Sequence, residues 1–298
     1  MIEAALYGLG TALIWGTGDF LSRKPSQRIG FYLTSSYVQL LSFIGLIFYA
    51  SFSASVNLNS AVSQPTFVAL NLAAGVFYFF GISFLYRGCS SGVMSIVAPV
   101  AGSYPVIAIV LAVFILDQSF SNATFCAIIL ILAGVVLAGV RISEGGGHDF
   151  KLDSTHFGTV KGLDSAILSC LFVGTGDFLV GVVASHFGFI FPTLVLKGAA
   201  TFTAFFCLII LGQKFLVPRG KDLFWIVVIS VLDSVGFILF SLGVISAGGA
   251  LPVVVTLTGL GGGVTMVWAR MIYGERIARI QTLGILMLLF GVSIILYV

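Results

Sequence analysis

The sequence predicts an all-α membrane protein of ten transmembrane helices, built as two inverted five-helix repeats. Three observations predict it. Of 298 residues, 59% are hydrophobic and 8% are charged, against roughly 25% charged in a soluble domain, and the mean hydropathy is +1.15. No charge occurs between Arg28 and Arg87 or between Asp233 and Arg270, and each stretch exceeds the about 20 residues that cross the hydrocarbon core as one helix. Finally, Gly16-Thr17-Gly18-Asp19-Phe20-Leu21 returns unchanged as Gly174-Thr175-Gly176-Asp177-Phe178-Leu179, the mark of an internal repeat. A barrel needs short segments alternating apolar and polar residues, and these runs are apolar all round.

Gly, Ser, Pro and charged residues punctuate the apolar runs and place the helices in order. The first spans 3–22 and closes at Arg23-Lys24; it lacks the basic start of a signal peptide and counts as a span. Helices follow at 30–52, 66–86 (closed by Arg87), 91–116 (containing Pro99 and Pro105) and 121–140 (closed by Arg141). Residues 142–161 hold three acids, two histidines and Gly145-Gly146-Gly147, which marks a solvated linker. Beyond it come 162–184 with the second hexapeptide, 188–212, 222–246, 249–273 with Pro252 and Gly259, and 278–297. The expected organisation is a first repeat over 1–141, a cytoplasmic linker over 142–161, and a second repeat over 162–298.

The repeat register holds to the end of each half. Ala133-Gly134-Val135 corresponds to Phe290-Gly291-Val292, and Gln118 falls opposite Glu275. An odd number of spans per copy makes the copies cross the membrane in opposite directions. Of the 14 Lys and Arg residues, all but Lys197 fall on the side shared by the linker and the loops after helices 1, 3, 7 and 9. Basic loops stay cytoplasmic, so both termini are expected on the non-cytoplasmic side, in the plasma (inner) membrane.

Composition also excludes functions. A nucleic-acid surface needs clustered Lys and Arg on a solvated face, which a net charge of +3 on so apolar a chain does not supply. Cys89, Cys126, Cys170 and Cys207 lack CxxC spacing and read as packing residues. No HExxH or P-loop spacing occurs. Neither an enzyme, a metal centre nor a cofactor is expected.

The chemistry lies in the few polar groups within the spans. A charge at a helix centre costs about 2.5–3.5 kcal/mol on insertion scales, so such a residue faces a cavity or a partner. Asp177, Lys197 and Asp233 qualify. Asp19, the repeat mate of Asp177, either faces the same cavity or pairs with Arg23 one turn on. Gln39 is the mate of Lys197 and shares a helix face with Ser35 and Ser42. A desolvated ammonium needs a carboxylate, so Lys197 is expected to pair with Asp177 or Asp233, as a fixed pair or one that an anionic substrate group opens. Trp15 shares a helix 1 face with Thr11 and Asp19, while Tyr78 and Tyr86 share one with Asn71 and Gly75. These aromatics are candidates for the cavity wall. Pro99, Pro105, Pro252 and Gly259 occupy corresponding parts of the two repeats and are candidate hinges, since proline removes a helix hydrogen bond.

Trp15-Gly16 with Phe20, the five-plus-five repeat, and Gly274-Glu275-Arg276 followed by Gln281, Gly284 and Gly291 resemble the drug/metabolite transporter superfamily, EamA type. The resemblance covers nearly the whole chain. It implies a transporter with a central cavity between its halves and metabolite substrates. The chain departs from the pattern where Asp117-Gln118 replaces Gly-Glu, and it lacks the mid-helix-1 Glu of the small multidrug-resistance relatives, which argues against proton–drug antiport. The expectation is a secondary active transporter that moves a small polar, amino-acid-like or anionic solute by alternating access, with protons as a candidate coupling ion. Its partners are that solute and the lipid bilayer, and its oligomeric state is open. Inverted repeats with sparse mixed charge favour a carrier over the alternative, a passive channel or facilitator.

Overall fold

In a bilayer every backbone polar group must be satisfied within the chain, which leaves helices or closed barrels. The computed structural model describes residues 2–52, 64–116, 122–139, 161–187, 190–213, 216–247, 251–275 and 278–295, and all regular structure among them is helical. In order these are α1 (Ile2–Ile29), α2 (Phe31–Phe52), α3 (Pro65–Ser91), α4 (Met94–Ala101), α5 (Pro105–Leu116), α6 (Asn122–Gly139), α7 (Leu163–Phe187), α8 (Ile190–Ile210), α9 (Lys221–Ser246), α10 (Leu251–Gly259), α11 (Gly261–Tyr273) and α12 (Arg279–Ile295). Among the described residues, six stretches are long and apolar enough to cross a membrane, from α2, α3, α4 with α5, α7, α8 and α9. Large apolar side chains face outward, including Leu6, Phe202, Phe206 and Phe290, while Gln39, Asn71, Asp177 and Lys197 are buried. That distribution suits a lipid solvent.

Each of the ten predicted stretches contains helix, but two boundaries differ and two helices are divided. The first helix runs past Ser22 to Ile29 with Pro25 inside it, and the third continues past Arg87 to Ser91. A charged turn ends the apolar run without ending the backbone hydrogen bonds. The chain breaks instead at Gly30, whose φ is +93°. The predicted 91–116 and 249–273 helices are each divided in two. Gly102, Ser103 and Tyr104 form a turn, with Ser103 N–H donating to the Val100 carbonyl at 3.2 Å. Pro105 then opens α5, where its missing N–H costs nothing. Leu260 plays the corresponding part between α10 and α11, its N–H reaching the Leu257 carbonyl at 3.1 Å.

The two breaks cross one another. A Cβ on Gly102 would lie 2.7 Å from the Gly259 carbonyl oxygen, and one on Gly259 would lie 2.7 Å from that of Gly102, so neither position has room for a side chain. Other contacts come in pairs related by the sequence repeat. Gly174 abuts the Tyr104 carbonyl and Ile107, as its mate Gly16 abuts the Gly261 carbonyl and Val264. Gly134 of α6 packs on Gly284 and Leu288 of α12, while Gly291 of α12 packs on Ala127 and Ile131 of α6. Ser35 and Ser83 hydroxyls meet at 2.8 Å, and their mates Thr193 and Ser241 meet at 3.3 Å. At helix level, α1 packs on α9 as α7 packs on α3, and α2 lies beside α8.

Candidate functional site

Where α1, α3, α4, α7, α9, α10 and α11 converge, the broken helices leave a cavity. It offers about 60 Å³ to water, room for a few molecules at roughly 10–15 Å³ of such space each. Its wall carries the carboxyls of Asp19 and Asp233, the aromatics Trp15, Tyr78, Tyr86 and Tyr104, the hydroxyls of Ser169 and Thr258, and the backbone of Gly102, Gly261 and Gly262. Among the described residues, no Lys or Arg lines it.

Asp233 is the most elaborately held of these groups. It lies about 18 Å along α9 from Lys221, at roughly 1.5 Å per residue, well inside the span. Tyr78 O–H donates to Oδ1 at 2.7 Å, and Ser42 Oγ lies 2.9 Å from Oδ2 and 3.0 Å from the Ser230 carbonyl. The Lys197 ammonium makes an ion pair with Oδ2. Lys197 Nζ also donates to Gln39 Oε1 at 2.9 Å and lies 4.3 Å from the Tyr78 ring centroid and 4.4 Å from that of Phe237. Burying one charge alone is far costlier than burying a hydrogen-bonded pair, and here the ammonium meets a carboxylate, an amide oxygen and two π faces. Trp15 closes the arrangement with an Nε1–H hydrogen bond of 3.4 Å to the Asp233 carbonyl.

The expected site residues therefore separate. Trp15, Asp19, Tyr78, Tyr86 and Asp233 lie together on the wall. Lys197 and Gln39 are fully buried behind Asp233, and the expected lysine pairing resolves to Asp233. Gln39 and Lys197, mates in the repeat, touch each other, as Gly102 and Gly259 do. Asp177 is also fully buried away from the wall, and neither carboxyl oxygen has a hydrogen-bond partner among the described residues. Of the candidate hinges, Pro99 lies inside α4, Pro105 opens α5, Gly259 ends α10, and Pro252 is the second residue of α10.

Among the described residues, three ion pairs on the basic side bridge the first and second halves: Arg23 with Glu275, Arg28 with Asp222 at 3.0 Å, and Arg87 with Asp164 at 3.9 Å. Arg23 thus pairs across the halves rather than with Asp19. Gly274 ends α11 with φ +63°, a left-handed cap that favours glycine, and the turn throws Glu275 back across the bundle. Glu275 accepts the N–H of Met94 at 3.2 Å and of Ser95 at 2.7 Å at the start of α4, where the helix dipole favours an anion. Arg23 also lies 4.6 Å over the Tyr273 ring. Burial pushes the Glu275 carboxyl up, but the Ser95 hydrogen bond and the Arg23 charge outweigh it and hold the group below its ordinary value.

Reasoning from sequence missed Tyr104, Thr258 and the Arg23–Glu275 link. Tyr104 O–H donates to Thr258 Oγ1 at 2.5 Å across the two broken helices. The signal was the Gly102-Ser103-Tyr104-Pro105 tetrapeptide, turn-forming residues inside an apolar run.

Comparison with known proteins agrees with this architecture. A solved structure titled only as the crystal structure of a protein superposes with a TM-score of 0.64 over 98% of this chain and 95% of its own, at 19% identity. That likeness shows the fold. None of the curated proteins matches the chain. Residues 2–140, just under half of the chain, are similar to the EamA-like transporter family, whose model they match, and the apolar helical stretches agree with an integral membrane protein of that kind.

Proposed function

We propose that the protein is a secondary active transporter that moves a small, amino-acid-like metabolite by alternating access. The observation that carries this reading is the cavity within the span, with Asp19 and Asp233 on its wall and Lys197 paired to Asp233 from behind. Carboxylates and aromatic faces suit a substrate ammonium. A substrate ammonium that takes Asp233 displaces Lys197 from it, so binding opens a buried pair and can be coupled to movement.

The movement is a rocking of residues 1–141 against 162–298, two five-span copies in opposite orientation with 142–161 between them; apart from Lys161, that linker lies outside the described residues. The reciprocal glycine contacts and the meeting of the mates Gln39 and Lys197 support a two-fold relation between the halves. Pro99, Pro105, Pro252 and Gly259 are the hinges, the basic side is cytoplasmic with both termini outside, and protons are the coupling ion. Trp15, Asp19, Tyr78, Tyr86 and Asp233 contact the substrate, with Lys197 and Gln39 behind and Asp177 serving the coupling.

A ligand that binds the native state stabilises it, by about 2.7 kcal/mol at one hundred times Kd. Purified protein is screened for thermal stabilisation by the individual amino acids, succinate and glucose 6-phosphate. The reading expects stabilisation by an amino acid, diminished in Asp233→Asn and Trp15→Ala. Stabilisation by succinate or glucose 6-phosphate alone, equally in both variants, would refute it.

A further inference from the structure

Asp177 is the one carboxyl among the described residues that is fully buried with both oxygens unpartnered. Its position is far from either end of α7: about 21 Å from Leu163 and about 15 Å from Phe187, at roughly 1.5 Å per residue. An ionised carboxylate has four lone-pair sites that need donors or water, and leaving such a charge bare in a low-dielectric interior is prohibitive, so the group takes a proton instead. The contrast with Asp233 is direct: Tyr78, Ser42 and Lys197 all donate to that carboxylate, whereas Asp177 receives no hydrogen bond from the described residues. We propose that Asp177 is a proton-binding site, occupied by a proton in this conformation and emptied during the transport cycle.

The surroundings explain how a proton could be held and released. Titratable groups facing Asp177 from the packed helices are Tyr78 of α3, Tyr104 of the turn between α4 and α5, and Lys197 of α8, all within its electrostatic reach. Asp233 of α9 acts through its pair with Lys197, and α4, α5 and α10 carry no titratable side chain. With Asp177 neutral, Lys197 and Asp233 balance one another and the cluster has no net charge. When the substrate occupies Asp233, the Lys197 ammonium is free to answer a second carboxylate. The O–H bond of Asp177 then breaks, its proton passes to cavity water, and the ammonium takes the proton's place as counter-charge. The repeat supplies the other half of the argument: Asp19, the mate of Asp177, already lies on the cavity wall, so one copy of the motif is open to water where the other is closed.

This inference rests on the carrier reading, and its test is independent of any substrate. The full-length protein is reconstituted in lipid, and infrared spectra are recorded at pH 7 in water and in heavy water for wild type and Asp177→Asn. The wild-type-minus-variant difference is expected to contain a carboxylic-acid C=O band that shifts on deuteration. A difference containing only carboxylate stretching bands would overturn the proposal. If Asp177→Asn does not fold, Asp177→Glu is used: a protonated residue moves the acid band to a new frequency, and movement of carboxylate bands alone overturns it. Absence of transport in vesicles would sink the carrier reading without altering these spectra.

Discussion

Replacing Glu275 tests how the halves are held together on the basic side. Glu275→Ala removes the acceptor for the Met94 and Ser95 N–H groups, at 3.2 and 2.7 Å, and the partner of Arg23. The Arg23 and Glu275 side chains are only 19% and 11% exposed. Their pair thus falls between a surface pair worth about 0–1 kcal/mol and a buried one whose breakage costs about 3–5 kcal/mol. A partly buried N–H left unpaired adds about 1–3 kcal/mol, and the helix-end charge about 0.3–1 kcal/mol. Because these terms share one carboxylate they do not simply add, and about 3 kcal/mol is expected for Glu275→Ala. Glu275→Gln keeps an oxygen for the N–H groups and loses only the charge, at about 1–2 kcal/mol by the same charge terms. Since the folded carboxyl lies below its ordinary value of 4.5, the charge contributes fully at pH 7 and is lost as pH falls below about 4.5 through the folded value. Thermal unfolding at pH 7 of wild type, both variants and Arg23→Ala supplies the measurement. Equal stability of Glu275→Ala and wild type, or equal losses for Ala and Gln, would refute the reasoning.

Three further expectations follow from the same geometry. Gly102→Ala places a Cβ 2.7 Å from the Gly259 carbonyl and 3.2 Å from Gly262 Cα, an overpacking expected to cost about 1–3 kcal/mol in thermal unfolding; Gly45→Ala, with nothing within 4 Å, should instead be neutral or stabilising by up to about 1 kcal/mol. Asp233→Asn leaves the Lys197 ammonium without its carboxylate and should cost about 3–5 kcal/mol, most of it recovered in the double variant with Lys197→Gln, as a double-mutant cycle would read. With the basic side cytoplasmic, a cysteine replacing Gln64 should react with an impermeant maleimide on intact cells, and one replacing Ser91 only after permeabilisation; both positions are exposed.

Hydropathy and the repeated hexapeptide made the helical architecture legible, because lipid demands apolar spans whatever their tertiary packing. The breaks at Gly102–Tyr104 and Leu260 were only partly visible. Proline and glycine mark where a helix can be interrupted, but the interruption depends on the partner helix crossing there. Among the site residues, the lysine's need for a carboxylate was predictable from desolvation. The choice of Asp233 over Asp177 was not, since it depends on Tyr78, Ser42 and Gln39 from other helices. The polar face of α2 suggested a cavity surface, yet Ser35 and Gln39 bond to protein groups. A polar stripe looks the same in sequence whether it meets water or another polar stripe. Arg23 had a carboxyl one turn away in Asp19, but the turn at Gly274 brings it Glu275 from the far end of the chain.

Counterflow tests the carrier mechanism most directly. Proteoliposomes loaded with excess unlabelled amino acid identified by thermal stabilisation are diluted into a trace of the same compound in labelled form. A carrier that exposes one site to each side in turn accumulates label transiently above its equilibrium level, and the initial rate saturates with external concentration. Label that only equilibrates, at a rate rising linearly with concentration, would contradict the account.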